Sequence, residues 1–263
     1  MKPGEAFETK CYEYLKRLYK TPNTDFYHQG GMDSTKSDIA VIKNGRISFF
    51  IEAKDASAQS GQFVLLPDED TKTFVFSPRN RSVQNEMTNI IINYMNSEFN
   101  RFNNAGTAGQ ALNIDTRVFA NWIIGYYEGK NVKYVISCDK DYVIFPIRKF
   151  ARYFDITANY RIKKSGSDEP AQKDIENVKQ AVKARYGTAS FSQLQKKLFV
   201  TIAEPMTTYN FVLGEYTYKL SKRDTSTYEI RKLSNTYNMN VIFGIQLIKS
   251  QSPEDLREFE EEL

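Results

Sequence analysis

Phe7, Cys11, Tyr14, Leu15 and Leu18 recur three or four residues apart, the spacing of one apolar stripe on a helix, and Thr21-Pro22-Asn23 closes it. A short strand around Phe26-Tyr27 and a turn-rich run, Gly30-Gly31-Met32-Asp33-Ser34, come next. Two apolar runs follow, Ile39 to Ile42 and Ile47 to Ile51, separated by Lys43-Asn44-Gly45-Arg46. Asn-Gly between apolar runs signals a β-hairpin strongly, because both residues tolerate the positive φ of a tight turn.

Beyond a polar segment rich in Gln, Ser and Gly, Thr73 to Phe76 reads as a strand stopped by Pro78. Val83, Met87, Ile90, Ile91, Tyr94 and Phe102 mark one long helix, Leu112 to Tyr127 a second that ends at Gly125-Tyr126-Tyr127, and Val132 to Phe145 a strand pair turning at Asp139-Lys140-Asp141. The order helix, strands, helix, strands implies an α/β core built on an α+β mixed sheet. After Phe150 the character changes. Asn159 to Glu169 is polar and basic, a charged helix spans Ala171 to Tyr186, and Tyr- and Thr-rich strands continue to Ile248. The pattern divides the chain into a core, residues 1–150, and a second α+β region, residues 151–263.

At 41% hydrophobic and 14% aromatic residues, the 263-residue chain can bury a sizeable core. No run approaches the roughly 20 apolar residues of a membrane-spanning helix, and the N-terminus lacks a signal-peptide layout, so a soluble, cytoplasmic protein is expected. Cys11 and Cys138 sit in apolar surroundings without metal-ligand spacing and read as reduced, buried thiols. The net charge is +4, but Pro253 to Leu263 holds six acids against Arg257, which leaves +9 for the remainder and predicts a solvated acidic helix at the end. A basic body suits a polyanion.

The chemistry concentrates between Ser37-Asp38 and Glu52-Ala53-Lys54. An Asp opens one hairpin strand and an acid-x-Lys closes the other; alternation puts Glu52 and Lys54 on one face. Charges at the end of a run as apolar as Ile47 to Ile51 are costly without partners or a ligand. Two carboxylates can hold Mg²⁺ and leave room for water and a phosphate oxygen. The cation polarises the phosphate and acidifies the water, and a nearby ammonium orients the water or offsets charge.

These residues resemble the PD-(D/E)XK nuclease superfamily in the variant form Ser37-Asp38 with Glu52-Ala53-Lys54, where the family usually has Pro before the Asp. Gly4-Glu5-Ala6-Phe7-Glu8 is similar to the first-helix motif in which an acid faces the metal. The resemblance implies a restriction-endonuclease-like αβββαβ core with an additional C-terminal region for recognition or dimerisation. It implies Mg²⁺ held by Asp38, Glu52 and the Ala53 carbonyl, with Lys54 positioning water and Glu8 supporting the site. Glu5 is the reserve for Glu8, and Gln59 or Gln62 an auxiliary.

One geometric condition follows. With Lys43 opposite Arg46 in a two-residue turn, Asp38 pairs with Ile51 and faces away from Glu52, since a one-residue slip inverts every side chain. The catalytic reading therefore requires a longer turn, a bulge, or a bend near Ser37-Asp38.

For DNA contact the candidates are Arg161, Lys163, Lys164 and Ser165 in a basic Gly/Ser-containing stretch, and Arg79 and Arg81 around Asn80. Tyr209, Tyr216, Tyr218, Tyr228 and Tyr237 read as strand bodies with wet tips rather than a stacking surface. His28, the single histidine, argues against nucleases built on several His ligands and reads as a structural or surface residue. The function expected is a sequence-specific double-strand endonuclease of the type II restriction class, a homodimer paired with a cognate DNA methyltransferase. The rivals are a structure-specific resolvase or repair nuclease, a non-catalytic DNA-binding module with this fold, and an unrelated interaction domain with incidental hairpin charges.

Overall fold

The computed structural model describes residues 3–29, 37–202 and 209–263, so the expected turn at 30–34 lies outside the described residues. The chain opens with α1 (Pro3–Tyr19), β1 (Thr24–His28), β2 (Ile39–Lys43), β3 (Arg46–Asp55), β4 (Ser57–Asp68) and β5 (Thr73–Phe76). It continues through α2 (Glu86–Ser97), α3 (Phe99–Asn103), β6 (Gln110–Ala111), α4 (Thr116–Glu128), β7 (Val132–Cys138) and β8 (Tyr142–Pro146). Then come α5 (Phe150–Tyr153), β9 (Phe154–Lys164), β10 (Ser167–Asp168), α6 (Ile175–Tyr186), β11 (Ala189–Leu194) and β12 (Lys197–Ile202). The last elements are β13 (Asn210–Leu213), β14 (Tyr216–Lys222), β15 (Thr227–Leu233), β16 (Tyr237–Leu247) and α7 (Pro253–Glu262).

Two compact units form, and their boundary differs from the one composition suggests. Residues 1–161 and 239–263 make the first, residues 162–238 the second. The break is not at residue 150 because β9 and β16 pair within one sheet of the first unit, drawing the C-terminal stretch back to it.

The first unit has two sheets, ordered β1-β2-β3-β7-β8 and β5-β4-β16-β9-β6. In the first sheet β3 and β7 run parallel and their other neighbours antiparallel, the mixed sheet expected. Cys11 and Leu15 of α1 bury against Phe26, Val41, Phe49 and Ile51. Phe63, Trp122 and Phe243 meet with ring centroids 4.7 to 6.0 Å apart, tying β4, α4 and β16 into a second cluster. In the second unit the sheet order is β11-β12-β15-β14-β13, with β10 on β15. Ile175, Val178 and Val182 of α6 pack on one of its faces, against Leu198, Val200, Leu220 and Ile230.

Several sequence expectations change in detail. The long helix breaks at Glu98 into α2 and α3, and the second helix starts only at Thr116, where the Asp115 carboxylate accepts from the Arg117 N–H and caps it. The polar run after residue 56 is a full strand, β4, paired with β16 far along the chain. Cys11 is buried, with its thiol pushed up mainly by burial, whereas Cys138 is only half-buried; both are free. The acidic end is not merely solvated. Phe259 is fully buried, worth about 2 kcal/mol of apolar transfer, and Asp255 is buried beside Lys149 and Tyr153. Arg148 grips Glu258 through both guanidinium nitrogens at 2.5 and 2.6 Å. Tyr218 and Tyr228 are core residues, while Tyr209 and Tyr237 are exposed. No helix among the described residues is long and apolar enough to cross a membrane.

Candidate active site

Whether the acids meet is decided in the hairpin. Asn44 (φ 51°) and Gly45 (φ 76°) make a two-residue turn with Lys43 opposite Arg46, the arrangement that alone would turn Asp38 away. Just past it the register slips. Ile42 pairs with Ile47 but Val41 with Phe49, so Ser48 is the extra residue of a bulge. From there Ala40 lies opposite Phe50 and Ile39 opposite Ile51, and the next step along the ladder sets Asp38 beside Glu52.

Side-chain contacts fix the arrangement. Asp38 Oδ2 accepts the Ala53 N–H at 2.9 Å, and Lys54 Nζ donates to Glu52 Oε1 at 2.6 Å. Glu52 is 6% exposed, on a strand sandwiched between β2 and β7. Burial, with Glu52 adding repulsion, pushes the Asp38 carboxyl up to about 8 against the pull of Lys54. Burial also works against the Lys54 ammonium, yet Glu52, Tyr127 and Asp38 together hold it well above the usual lysine range. Tyr127 is buried at the end of α4 with its ring centroid 5.5 Å from Lys54 Nζ; burial and then Glu52 raise its phenol.

These groups open into a cavity of about 490 Å³ that Glu8, Asp38, Glu52, Lys54, Gln59 and Gln62 line from the first third of the chain. Arg79, Asn80, Arg81, Tyr126, Tyr127 and Lys130 complete it. Glu8 Oε2 lies 3.4 Å from His28 Nε2, and the His28 ring stacks on Tyr12 at 5.9 Å, so the histidine steadies the acid of α1. Gln62 Oε1 accepts from Gln59 Nε2 at 3.1 Å and from Asn240 Nδ2 at 3.2 Å.

Two local features bring in the rest. Asn80 imitates a neighbouring strand: its Oδ1 accepts the Val64 N–H at 2.7 Å and its Nδ2 donates to the Val64 carbonyl at 2.8 Å. That pair ties the loop carrying Arg79 and Arg81 to β4. At Gly61, with φ 101°, a Cβ would stand 2.7 Å from Trp122 Cζ3, so only glycine lets α4 approach β4 this closely. Trp122 stacks on Tyr126 at 5.2 Å, and Lys130 Nζ sits 4.2 Å from the Tyr126 ring centroid.

Of the expected residues, Asp38, Glu52, Lys54, Glu8, Gln59, Gln62, Arg79 and Arg81 share this cavity. Glu5 is exposed on the first turn of α1 and does not line it. Arg161, Lys163, Lys164 and Ser165 do not line it either; they span the passage of the chain from the first unit into the second. Lys164 Nζ donates to Asn235 Oδ1 at 3.2 Å, and the Ser165 N–H to the Thr236 carbonyl at 2.9 Å. Tyr127 and Lys130 went unrecognised, because the sequence presents Tyr126-Tyr127 only as a helix end; Trp122 and Tyr126 four apart was the available signal.

Two buried carboxylates beside one ammonium leave an excess of negative charge that a hard divalent cation would offset. Among the described residues no group of three or more His, Cys, Asp or Glu forms a ready cage. Asp38 and Glu52 therefore suit an ion that keeps several waters, as Mg²⁺ does.

No protein-family profile and no curated protein matches the chain. Among solved structures, HhaI endonuclease in complex with DNA matches it with a TM-score of 0.74 and 35% identity, over 99% of this chain and 98% of that one. At that identity, over nearly the whole of both, the chain belongs to the HhaI endonuclease family and carries its restriction-endonuclease fold.

Proposed function

We propose that this protein is a Mg²⁺-dependent, sequence-specific double-strand DNA endonuclease of the type II restriction class, with Asp38, Glu52 and Lys54 of the PD-(D/E)XK pattern as its catalytic groups. The observation that carries the reading is the bulge at Ser48, which turns Asp38 and Glu52 to one side of the hairpin end while Lys54 reaches Glu52. A neighbour of 35% identity in complex with DNA supports the substrate class.

Asp38, Glu52 and the Ala53 carbonyl would hold the cation, which supplies Lewis acidity at the phosphate and a water acidified for attack. The Lys54 ammonium, held charged by Glu52, donates to the attacking water or to a phosphate oxygen and offsets charge as the phosphorus becomes five-coordinate. Water oxygen bonds to phosphorus, the bond to one sugar oxygen breaks, and that oxygen takes a proton. Glu8, steadied by His28, accepts hydrogen bonds from water in the cavity. Arg79 and Arg81 meet neighbouring phosphates, which positions the strand. The second unit, residues 162–238, serves target recognition, the chain works as a homodimer on two-fold sites, and a cognate methyltransferase protects host DNA.

The test is plasmid DNA of mixed sequence with Mg²⁺. Discrete fragments are expected, with a dimer in sedimentation on cognate DNA. Cleavage confined to branched DNA would replace the restriction reading by a structure-specific one, and binding without cleavage would leave a DNA-binding module.

A further inference from the structure

The bond that places Lys54 in this structure is one that a loaded site would loosen. Lys54 Nζ donates to Glu52 Oε1 at 2.6 Å, and both side chains are largely buried. Glu52 is also an acid that a divalent cation would claim. A carboxylate shared with such a cation is a weaker acceptor, and the cation repels a neighbouring ammonium. The ammonium of Lys54 rides on a flexible four-carbon stem, so once released from Glu52 it needs another surface to hold it in place.

Such a surface lies beside it. Tyr127 is buried at the end of α4, and its ring centroid is 5.5 Å from Lys54 Nζ. An aromatic face attracts a cation through its quadrupole, most strongly where water is excluded. That attraction does not pass through Glu52, so it persists whatever the carboxylate is bound to.

The ring is braced as well. The Tyr126 ring meets it edge-on at 5.2 Å, and Tyr126 is stacked on Trp122, whose close approach to β4 depends on Gly61. Lys130 marks the outer end of this aromatic row, with Nζ 4.2 Å from the Tyr126 centroid and 5.9 Å from that of Tyr127. Each lysine thus has its nearer tyrosine, Lys130 facing Tyr126 and Lys54 facing Tyr127.

We propose that Tyr127 is a positioning residue for phosphodiester hydrolysis, whose ring keeps the Lys54 ammonium directed into the cavity when a divalent cation engages Glu52. The inference rests on the endonuclease reading and adds to it a residue that acts through Lys54 without touching DNA.

Two measurements test it. The first involves no cleavage. In protein labelled with ¹³C at lysine Cε, the ring current of Tyr127 should move the Lys54 Hε signal upfield of the common lysine position, the signal being identified by its loss in Lys54→Arg. That displacement is expected to survive addition of Ca²⁺ to the wild type and to vanish in Tyr127→Leu. The second is the split between kcat and KM for plasmid cleavage with Mg²⁺. Tyr127→Leu is expected to lower kcat about thirtyfold, with KM and duplex affinity in Ca²⁺ within about twofold of wild type. Tyr127→Phe keeps the ring and should retain kcat within about threefold. Thermal melting checks folding, and Tyr127→Met takes the place of the leucine variant if that one does not fold.

A Lys54 signal that returns to the common position when Ca²⁺ is added to the wild type overturns the proposal. So does unchanged kcat in Tyr127→Leu, or equal loss in Tyr127→Leu and Tyr127→Phe. If the wild type still cuts plasmid DNA in that event, Tyr127 is core packing alone and the nuclease reading stands. If the wild type does not cut, both fall.

Discussion

Two buried carboxylate clusters sit on sheets in this protein, and they are built to different charge ratios. At the hairpin end of the first unit, Asp38 and Glu52 share one ammonium, Lys54. In the second unit Glu229 faces two guanidiniums, Arg223 and Arg231, and Arg231 also pairs with Glu169 at 2.8 Å. Burial penalises the charged form in both, and the neighbours decide the outcome: Asp38 is driven up, while Glu229, against the pull of burial, is held below the ordinary range by its arginines. A cluster left short of positive charge calls for a cation, whereas Glu229 and Glu169 balance the two guanidiniums within the protein.

The comparison breaks first at the hairpin. Glu52→Ala and Lys54→Ala are each expected to reduce plasmid cleavage with Mg²⁺ by about a thousandfold or more, with little change in melting temperature. Normal cutting by both variants would remove the site. Glu229→Ala should do the reverse: unfolding in urea should show a loss of about 2 kcal/mol, since two guanidiniums lose their shared acceptor, with cleavage at saturating DNA largely retained. A variant as stable as wild type would make the Glu229 network dispensable to the fold.

Asn80→Ala sharpens the first cluster by separating chemistry from placement. Losing both bonds to Val64 should cost about 1 to 2 kcal/mol and raise KM for DNA more than it lowers kcat, because Arg79 and Arg81 lose their fixed loop. A fall in kcat alone would contradict that role. The smallest effect is that of acid. Glu229 and Asp255 both titrate below the ordinary carboxylate range in the folded protein, so their contribution is intact above the unfolded values near 4 and disappears as pH falls through the folded ones. The difference in melting temperature between wild type and Glu229→Gln should be constant from neutral pH to about 5 and shrink below that. In this comparison the opposite effect of Asp38, whose raised carboxyl favours folding as pH falls, cancels.

Much of the site was legible in the order of residues. Asn44-Gly45 dictated a two-residue turn, and the demand that Asp38 and Glu52 share a face dictated an irregularity, which the structure supplies at Ser48. Local pattern could not reveal β4. Its run from Ser57 to Gln62 is polar because several of its positions are wet, and its partner β16 is remote in sequence. Tyr127 and Lys130 were hidden for a related reason. They reach the cavity only because Gly61 admits Trp122, a contact between distant elements that no periodicity records. The acidic C-terminus misled on its charge: Phe259 in the core and Arg148 against Glu258 make α7 part of the fold.

β9 carries the chain out of the first unit and β16 brings it back, as adjacent strands of one sheet, and the Ser165 N–H meets the Thr236 carbonyl at 2.9 Å just beyond. Departure and return are side by side, so the intervening stretch is wired like a cassette in a socket. Host strands can zip together whatever hangs between them, and evolution or an engineer could exchange the cassette without redrawing the first unit.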